Sequence, residues 1–352
     1  MLSYEGLGLK PVERVDSMKS IDLKLSECNL STELQLNYAR NGHASIRSKL
    51  PKETLMSLRS DVVKYASEKE LGAWRQKVEV ATKSTEVANS CSSIQECKQK
   101  LQEILPGQEV QIPFLQYFNL WRHVPSVKSL VTSPLLSKMA QTLLDVPKVR
   151  LYQDSLFHKR AEDSPTPWHS DARMAPFDTS HMITFWIPLQ GIPTPERGGS
   201  GLFFVDKSHC DFALPFWNPE PDDTESEGMQ GEYSRLDTRY GGDKAIRHYM
   251  PMSVGDCTVH AGWTLHSASG GIDSEDTEEN HIAGQSHDRY ALAVTYVDAR
   301  AEVREDACSD SNNSKGHDED IRSYQSWVKE IKPREYFEHP LVPIVWPPDK
   351  FN

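Results

Sequence analysis

The chain has 352 residues, enough for one large domain with decoration or two modest ones. Its formal net charge of -12 argues against nucleic-acid binding, because phosphate contacts need a basic surface. No apolar run approaches the roughly 20 residues of a membrane span, and six cysteines without CxxC spacing exclude a zinc ribbon or disulfide framework, so reduced thiols in a cytoplasmic protein are expected.

Residues 1–105 read as a mainly helical, polar region packing on the core. Leu55, Leu58, Val62, Val63 and Tyr65 recur near helical spacing there, and Pro106-Gly107 closes it. A second helical pattern runs from Ser126 to Leu144. Strands dominate afterwards: Val149 to His158, Met182 to Leu189, Gly201 to Asp206, Asp256 to His260 and Tyr290 to Val297. Short strands without a βαβ rhythm predict a mainly β core with flanking helices over residues 106–300, a sandwich or barrel such as a jelly roll. Two inserts interrupt it. Phe212 to Met250 starts with aromatic residues, and Ile272 to Ser286 is acidic. Acidic runs of this kind read as solvated loops. Residues 301–352 form a C-terminal tail. Glu302 to Asp320 is polar and expected to be disordered, and Tyr324, Trp327, Val328 and Ile331 predict a terminal helix that docks back. One structural domain is expected overall.

The chemistry gathers at Pro167-Trp168-His169-Ser170-Asp171. On an extended strand, residues two apart face the same side, so His169 and Asp171 would sit together. An imidazole and a carboxylate are two thirds of the 2-His-1-carboxylate triad that holds non-haem Fe(II) and leaves positions open. His266 and His260, on either side of Trp263, both qualify as the third ligand. Arg289 opens an alternating segment that puts Arg289, Ala291, Ala293 and Thr295 on one face and Tyr290, Leu292, Val294 and Tyr296 on the other. An arginine followed by small residues leaves room for a ligand, and a guanidinium can take its carboxylate bidentately.

In order, the chain shows His169-Ser170-Asp171, Phe185-Trp186-Ile187-Pro188-Leu189, Gly198-Gly199-Ser200-Gly201 leading to His209, Gly255-Asp256, Leu265-His266-Ser267-Ala268-Ser269-Gly270, and Arg289. This ordered set resembles the phytanoyl-CoA dioxygenase family of Fe(II)- and 2-oxoglutarate-dependent oxygenases. The likeness spans roughly Val149 to Asp298, with weaker similarity back to about Phe114. It implies a double-stranded β-helix, a cupin-like jelly roll, with helices outside. It also implies His169, Asp171 and His266 as metal ligands, with His266 preferred because a small-residue turn follows it. Arg289 would pair with the far carboxylate of 2-oxoglutarate. Trp186, Ser170 and Ser155 would line the cosubstrate pocket, with a further polar contact near Gln116.

The implied activity is oxidation of a C–H bond of a small organic substrate, with release of succinate and carbon dioxide. Fe(II), 2-oxoglutarate and O2 would take part, with ascorbate as auxiliary reductant. A carboxylate at Asp171, where related halogenases carry a small residue, points to hydroxylation, desaturation or ring formation rather than halogenation. Two rivals are a non-catalytic scaffold that keeps the fold and a zinc hydrolase using the same ligands. The scaffold is disfavoured by an intact triad, and the hydrolase has no use for Arg289. Substrate identity and oligomeric state are not encoded in any motif here. The segments Phe212 to Trp217 and Met229 to Tyr240 are expected to shape the substrate pocket.

Overall fold

The computed structural model describes residues 29–104, 112–211, 239–270, 288–310 and 323–348. Its strands are β1 (His43–Ile46), β2 (Leu115–Phe118), β3 (Val149–Lys159), β4 (Thr166–His169), β5 (Phe177–Asp178), β6 (Met182–Pro188) and β7 (Leu202–Val205). They continue with β8 (Ile246–His248), β9 (Cys257–Ala261), β10 (His266–Ala268), β11 (Arg289–Asp298), β12 (Glu302–Val303) and β13 (Ile344–Trp346). The helices are α1 (Thr32–Asn41), α2 (Lys52–Thr82), α3 (Thr85–Ser90), α4 (Ile94–Ile104), α5 (Pro125–Val131), α6 (Pro134–Leu144), α7 (Asp171–Met174), α8 (Glu305–Asp310) and α9 (Gln325–Val328).

Two antiparallel sheets carry the fold. The larger runs β1-β9-β6-β11-β3-β13, with β2 also on β3, and the smaller runs β4-β10-β7-β8. With the helices packed on the larger sheet, this is the expected jelly roll.

Strand β11 lies between β3 and β6 and is buried along its whole length. Its alternation sorts as the sequence predicts. Tyr290, Leu292, Val294 and Tyr296 join the large core shared with the helices. Ala291 and Ala293 face inward and pack with Trp186, Met250 and Met252. A strand covered on both faces must be apolar on both, which is why small residues, not charged ones, fill most of the inner phase.

The sequence reading of residues 1–105 did not include β1 (His43–Ile46), an edge strand on β9. Four residues are too few to register as an alternating pattern. The predicted helix from Ser126 to Leu144 is two helices, because Ser133 caps α6 and Pro134 starts it. The polar tail is ordered as far as Asp310, as β12 on β5 and then α8, while residues 311–322 lie outside the described residues. The terminal helix is a single turn, Gln325–Val328, docked through the buried Trp327 and Val328.

Gly42 sits where the site is fixed. It ends α1 with φ +82°, and a Cβ there would meet Thr264 Oγ1 at 2.6 Å. Its carbonyl accepts from Ala261 N and Thr264 Oγ1, both at 2.8 Å, pinning the turn between β9 and β10. Asp256 ties the same strand's start to β1, accepting from Ser48 N at 2.9 Å, Ser253 N at 2.9 Å and Arg47 at 3.0 Å.

Asp154 anchors the other side of the barrel. Fully buried on β3, it accepts from the backbone N–H groups of Leu120 and Trp121 at 3.0 and 3.1 Å. Burial pushes its carboxyl up to about 7, against the pull of those two donors. The folded state therefore binds a proton that the unfolded chain releases near pH 4. That contribution to stability is present below pH 4 and is lost as pH rises to about 7. Urea melts of wild type and Asp154→Asn should thus diverge across this window. The variant should gain relative stability with rising pH, by up to about 4 kcal/mol. A pH-independent difference would remove Asp154 as the cause.

Candidate metal centre

His169 ends β4 and His266 begins β10, and the two are directly paired across these antiparallel strands. Asp171 is not on the strand, as the two-residue spacing suggested, but opens the short helix α7. The Ala172 amide, donating to Gly262 O at 2.8 Å, locks that turn beside the β9–β10 connection. One imidazole nitrogen from each histidine and one Asp171 oxygen all lie within 4.8 Å of one another.

The hydrogen bonds fix which atoms face the centre. His169 Nδ1 lies 2.8 Å from Pro167 O, and His266 Nδ1 lies 3.0 Å from Thr264 O. A carbonyl only accepts, so both Nδ1 atoms carry the proton and both Nε2 atoms present lone pairs. Those lone pairs lie 3.8 Å and 3.6 Å from Asp171 Oδ1. Burial, with His169 and His260 adding to it, holds the His266 imidazole well below its ordinary range, so it is neutral. Burial would raise the Asp171 carboxyl, but His266, His260 and His169 outweigh it and hold it well below the usual carboxylate range. The two Nε2 atoms and Asp171 Oδ1 therefore converge, and this N,N,O donor set is the facial arrangement that suits non-haem Fe(II).

His260 takes a different role from His266. Its Nε2 lies 3.1 Å from Asp171 Oδ2, the oxygen turned away from the other histidines, and Thr184 Oγ1 donates to that same oxygen at 2.8 Å. Thr295 continues the chain to Thr184 at 3.1 Å. His260 is 1% exposed and its Nδ1 has no partner. It holds Asp171 and stands outside the converging set. Neither this role nor Thr184 was read from the sequence. Thr184 was findable, since it is two residues from Trp186 on an alternating strand.

The other expected residues cluster on the inner wall. Trp186, Ala293 and Ser155 lie side by side across β6, β11 and β3. Ser155 Oγ accepts from Gln116 Nε2 at 3.3 Å, so the polar contact expected near Gln116 reaches this wall. Arg289 is buried, its guanidinium carbon 5.3 Å from the Trp186 ring centroid. Ser170 is buried between the two candidate ligands. The segments Phe212 to Trp217 and Ile272 to Ser286 lie outside the described residues, as does all of Met229 to Tyr240 except its last two positions. No helix among the described residues is long and apolar enough to cross a membrane.

The family model described as phytanoyl-CoA dioxygenase (PhyH) matches residues 38–276. The chain belongs to the phytanoyl-CoA dioxygenase family. The match reaches back past β1, well beyond Phe114, and stops short of Arg289. Among solved structures, the chain is similar to the non-haem alpha-ketoglutarate-dependent carbocyclase SnoK from nogalamycin biosynthesis, at 18% identity and TM-score 0.57. That likeness covers 90% of this chain and 97% of that one. The epimerase SnoN from the same biosynthesis, solved with Fe3+, alpha-ketoglutarate and nogalamycin RO, is 18% identical with TM-score 0.52, covering 89% and 97%. These likenesses concern the fold. A search of curated proteins finds no match.

The geometry separates candidate ligands from supports. Titration with Mn(II), followed by EPR, should show binding abolished in His169→Ala, Asp171→Ala and His266→Ala. His260→Ala should still bind, about 10- to 100-fold more weakly, as for loss of a group that orients a ligand. Abolished binding in His260→Ala would move it into the ligand set.

Proposed function

We propose that the chain is an Fe(II)- and 2-oxoglutarate-dependent dioxygenase that oxidises a C–H bond of a small organic substrate. The observation that carries this reading is the convergence of one nitrogen each from His169 and His266 and one Asp171 oxygen to within 4.8 Å of one another. Family membership supports it, and the relatives' own metal and cosubstrate agree with it. Bound iron, with 2-oxoglutarate and O2, supplies the oxidising chemistry, leaving succinate and carbon dioxide as co-products.

The protein's part is to hold, orient and shield. His169 and His266 present Nε2 because backbone carbonyls hold Nδ1–H. Asp171 supplies the negative charge, and Thr184 and His260 leave it a single free oxygen. Binding from one face keeps the opposite positions open for cosubstrate and oxygen. Arg289 reads the distal carboxylate, and Ala291 and Ala293 leave space along the strand between guanidinium and metal. Trp186 and Ser155 flank that strip. His169 and Asp171 are the more exposed ligands, with side chains 30% and 22% accessible against 6% for His266. Substrate therefore approaches from the His169 and Asp171 side. The carboxylate at 171 occupies the position a halide would need, which favours hydroxylation, desaturation or ring formation.

Incubation with Fe(II), 2-oxoglutarate and a panel of small metabolites should yield succinate in an O2-dependent manner, stimulated by the true substrate. A chelator should stop it, and Asp171→Ala should reduce it to background. A protein that binds metal tightly yet neither binds nor consumes 2-oxoglutarate would sink the proposal.

A further inference from the structure

At the β1 edge of the larger sheet, His43, Asp206 and Tyr249 form a polar line that the proposed chemistry does not use. His43 lies directly opposite His260, so its side chain shares the face of the group that holds Asp171. It is 1% exposed and has a partner on each ring nitrogen. Nε2 lies 3.1 Å from Asp206 Oδ1, and Nδ1 lies 2.8 Å from Tyr249 Oη. A carboxylate only accepts, so Nε2 carries the proton and Nδ1 accepts the phenolic hydrogen. The same hydroxyl lies 3.3 Å from His43 O, the more distant of these two acceptors. Asp206 in turn meets the exposed Arg247, whose Nε is 3.3 Å from Oδ2. A phenol, a neutral base and a carboxylate thus stand in line, leading from the interior toward solvent.

Phe204 joins this line to the candidate metal centre. Fully buried on β7, it stacks on His43 with ring centroids 4.8 Å apart and planes 16° apart. Its centroid is 5.9 Å from that of Tyr249, 5.5 Å from His260 and 6.3 Å from His266. An unbroken set of ring contacts therefore runs from a candidate ligand to a hydrogen-bonded phenol.

The line is built to pass a proton outward. Burial pushes the His43 imidazole down to about 3, with His260, His209 and Arg247 adding to it. Burial also raises the Asp206 carboxyl above its usual range, against the pull of Arg247 and Lys207. An imidazole that resists a second proton hands one on. A proton arriving at Nδ1 releases the one on Nε2 to Asp206, and His43 stays neutral.

Resting on the dioxygenase reading, we propose that Tyr249 is a one-electron donor that protects the centre when 2-oxoglutarate and O2 react without substrate. The strongly oxidising iron then has no substrate C–H bond to attack. Tyr249 gives one electron, through Phe204 and His266, to that iron, whose oxidation state falls by one. The phenolic O–H bond breaks as the electron leaves. Its proton goes to His43 Nδ1, and the Nε2 proton moves to Asp206 Oδ1. The product is a neutral tyrosyl radical. A one-electron reductant such as ascorbate restores it, and the proton returns along the same line. Without the base, oxidation would leave a positive charge on a half-buried ring, which is costly. The hydrogen bond to His43 removes that cost.

The test is freeze-quench EPR of the Fe(II)-loaded protein mixed with 2-oxoglutarate and O2 but no substrate, with succinate measured in the same samples. A radical signal should appear, narrow when ring-deuterated tyrosine is incorporated, and vanish on adding ascorbate. Tyr249→Phe keeps the ring. It should lose the signal, keep its affinity for Mn(II), and inactivate several-fold faster during this uncoupled reaction. Asp206→Asn still accepts from Nε2 but takes no proton, and should lower the radical yield several-fold. Succinate without a tyrosyl radical in wild type, or a signal that survives in Tyr249→Phe, would overturn the proposal. So would Tyr249→Phe inactivating equally fast without O2, the mark of a structural role. Bound 2-oxoglutarate that is never consumed without substrate would overturn it too, since no oxidant then needs a donor. If wild type neither binds nor consumes 2-oxoglutarate, the dioxygenase reading fails, and this one with it.

Discussion

One carboxylate organises the centre. Asp171 is surrounded by three imidazoles, and its two oxygens do different work. Oδ2 is used up by Thr184 and His260, while Oδ1 is turned toward the Nε2 atoms of His169 and His266. The division matters because a carboxylate free to rotate would offer a metal two equivalent oxygens in no fixed direction. Hydrogen bonds to one oxygen select the other and fix its angle. Because carbonyls also hold both histidine rings by Nδ1, the donor atoms are oriented before any cation arrives.

Strand β11 connects this centre to two buried cations. Near its C-terminal end, Thr295 bonds Thr184, which bonds Asp171. At its N-terminal end Arg289 faces Lys159. Between them Ala291 and Ala293 provide width without bulk. The outward phase of the same strand is locked into the helical layer, with Tyr296 Oη donating to Val131 O at 2.7 Å. A larger inward residue would fill the space between the two ends, and a smaller outward one would loosen their separation. The distance between metal and cations is thus a property of one rigid, fully buried strand, which holds geometry better than a loop can.

Much of this was legible in the sequence, for physical reasons that differ by residue. The strand β11 announced itself because both of its phases carry uniform chemistry, bulky outside and small inside. His169 and Asp171 were visible as an H-x-D pair between two strand patterns, and His266 was preferred over His260 through the family resemblance and the small-residue turn that follows it. The backbone of Asp171 was misread: the H-x-D spacing suggested one strand, yet the chain turns into α7 between the two side chains. Strand β1 escaped because it is short and draws its stability from β9 rather than from its own pattern. The choice between His260 and His266 depends on which Asp171 oxygen each one meets, and spacing carries no information about that. Lys159 escaped for a related reason. A lysine at the end of a strand normally faces water, and only the pairing with Arg289 shows that this one is enclosed.

Strand β11 runs from the support of the candidate metal centre to the paired Arg289 and Lys159. Two neutral imidazoles and a carboxylate leave a divalent cation with one excess positive charge. The far end holds two cations with no ion-pair partner among the described residues. In the proposed reading, the two carboxylates of 2-oxoglutarate lie toward these two ends, and the small residues in between avoid a clash. In the proposed reading, selectivity therefore comes from the spacing of two electropositive ends along a buried strand, and the hydrophobic residues around them matter because they exclude the water that would otherwise do the same job.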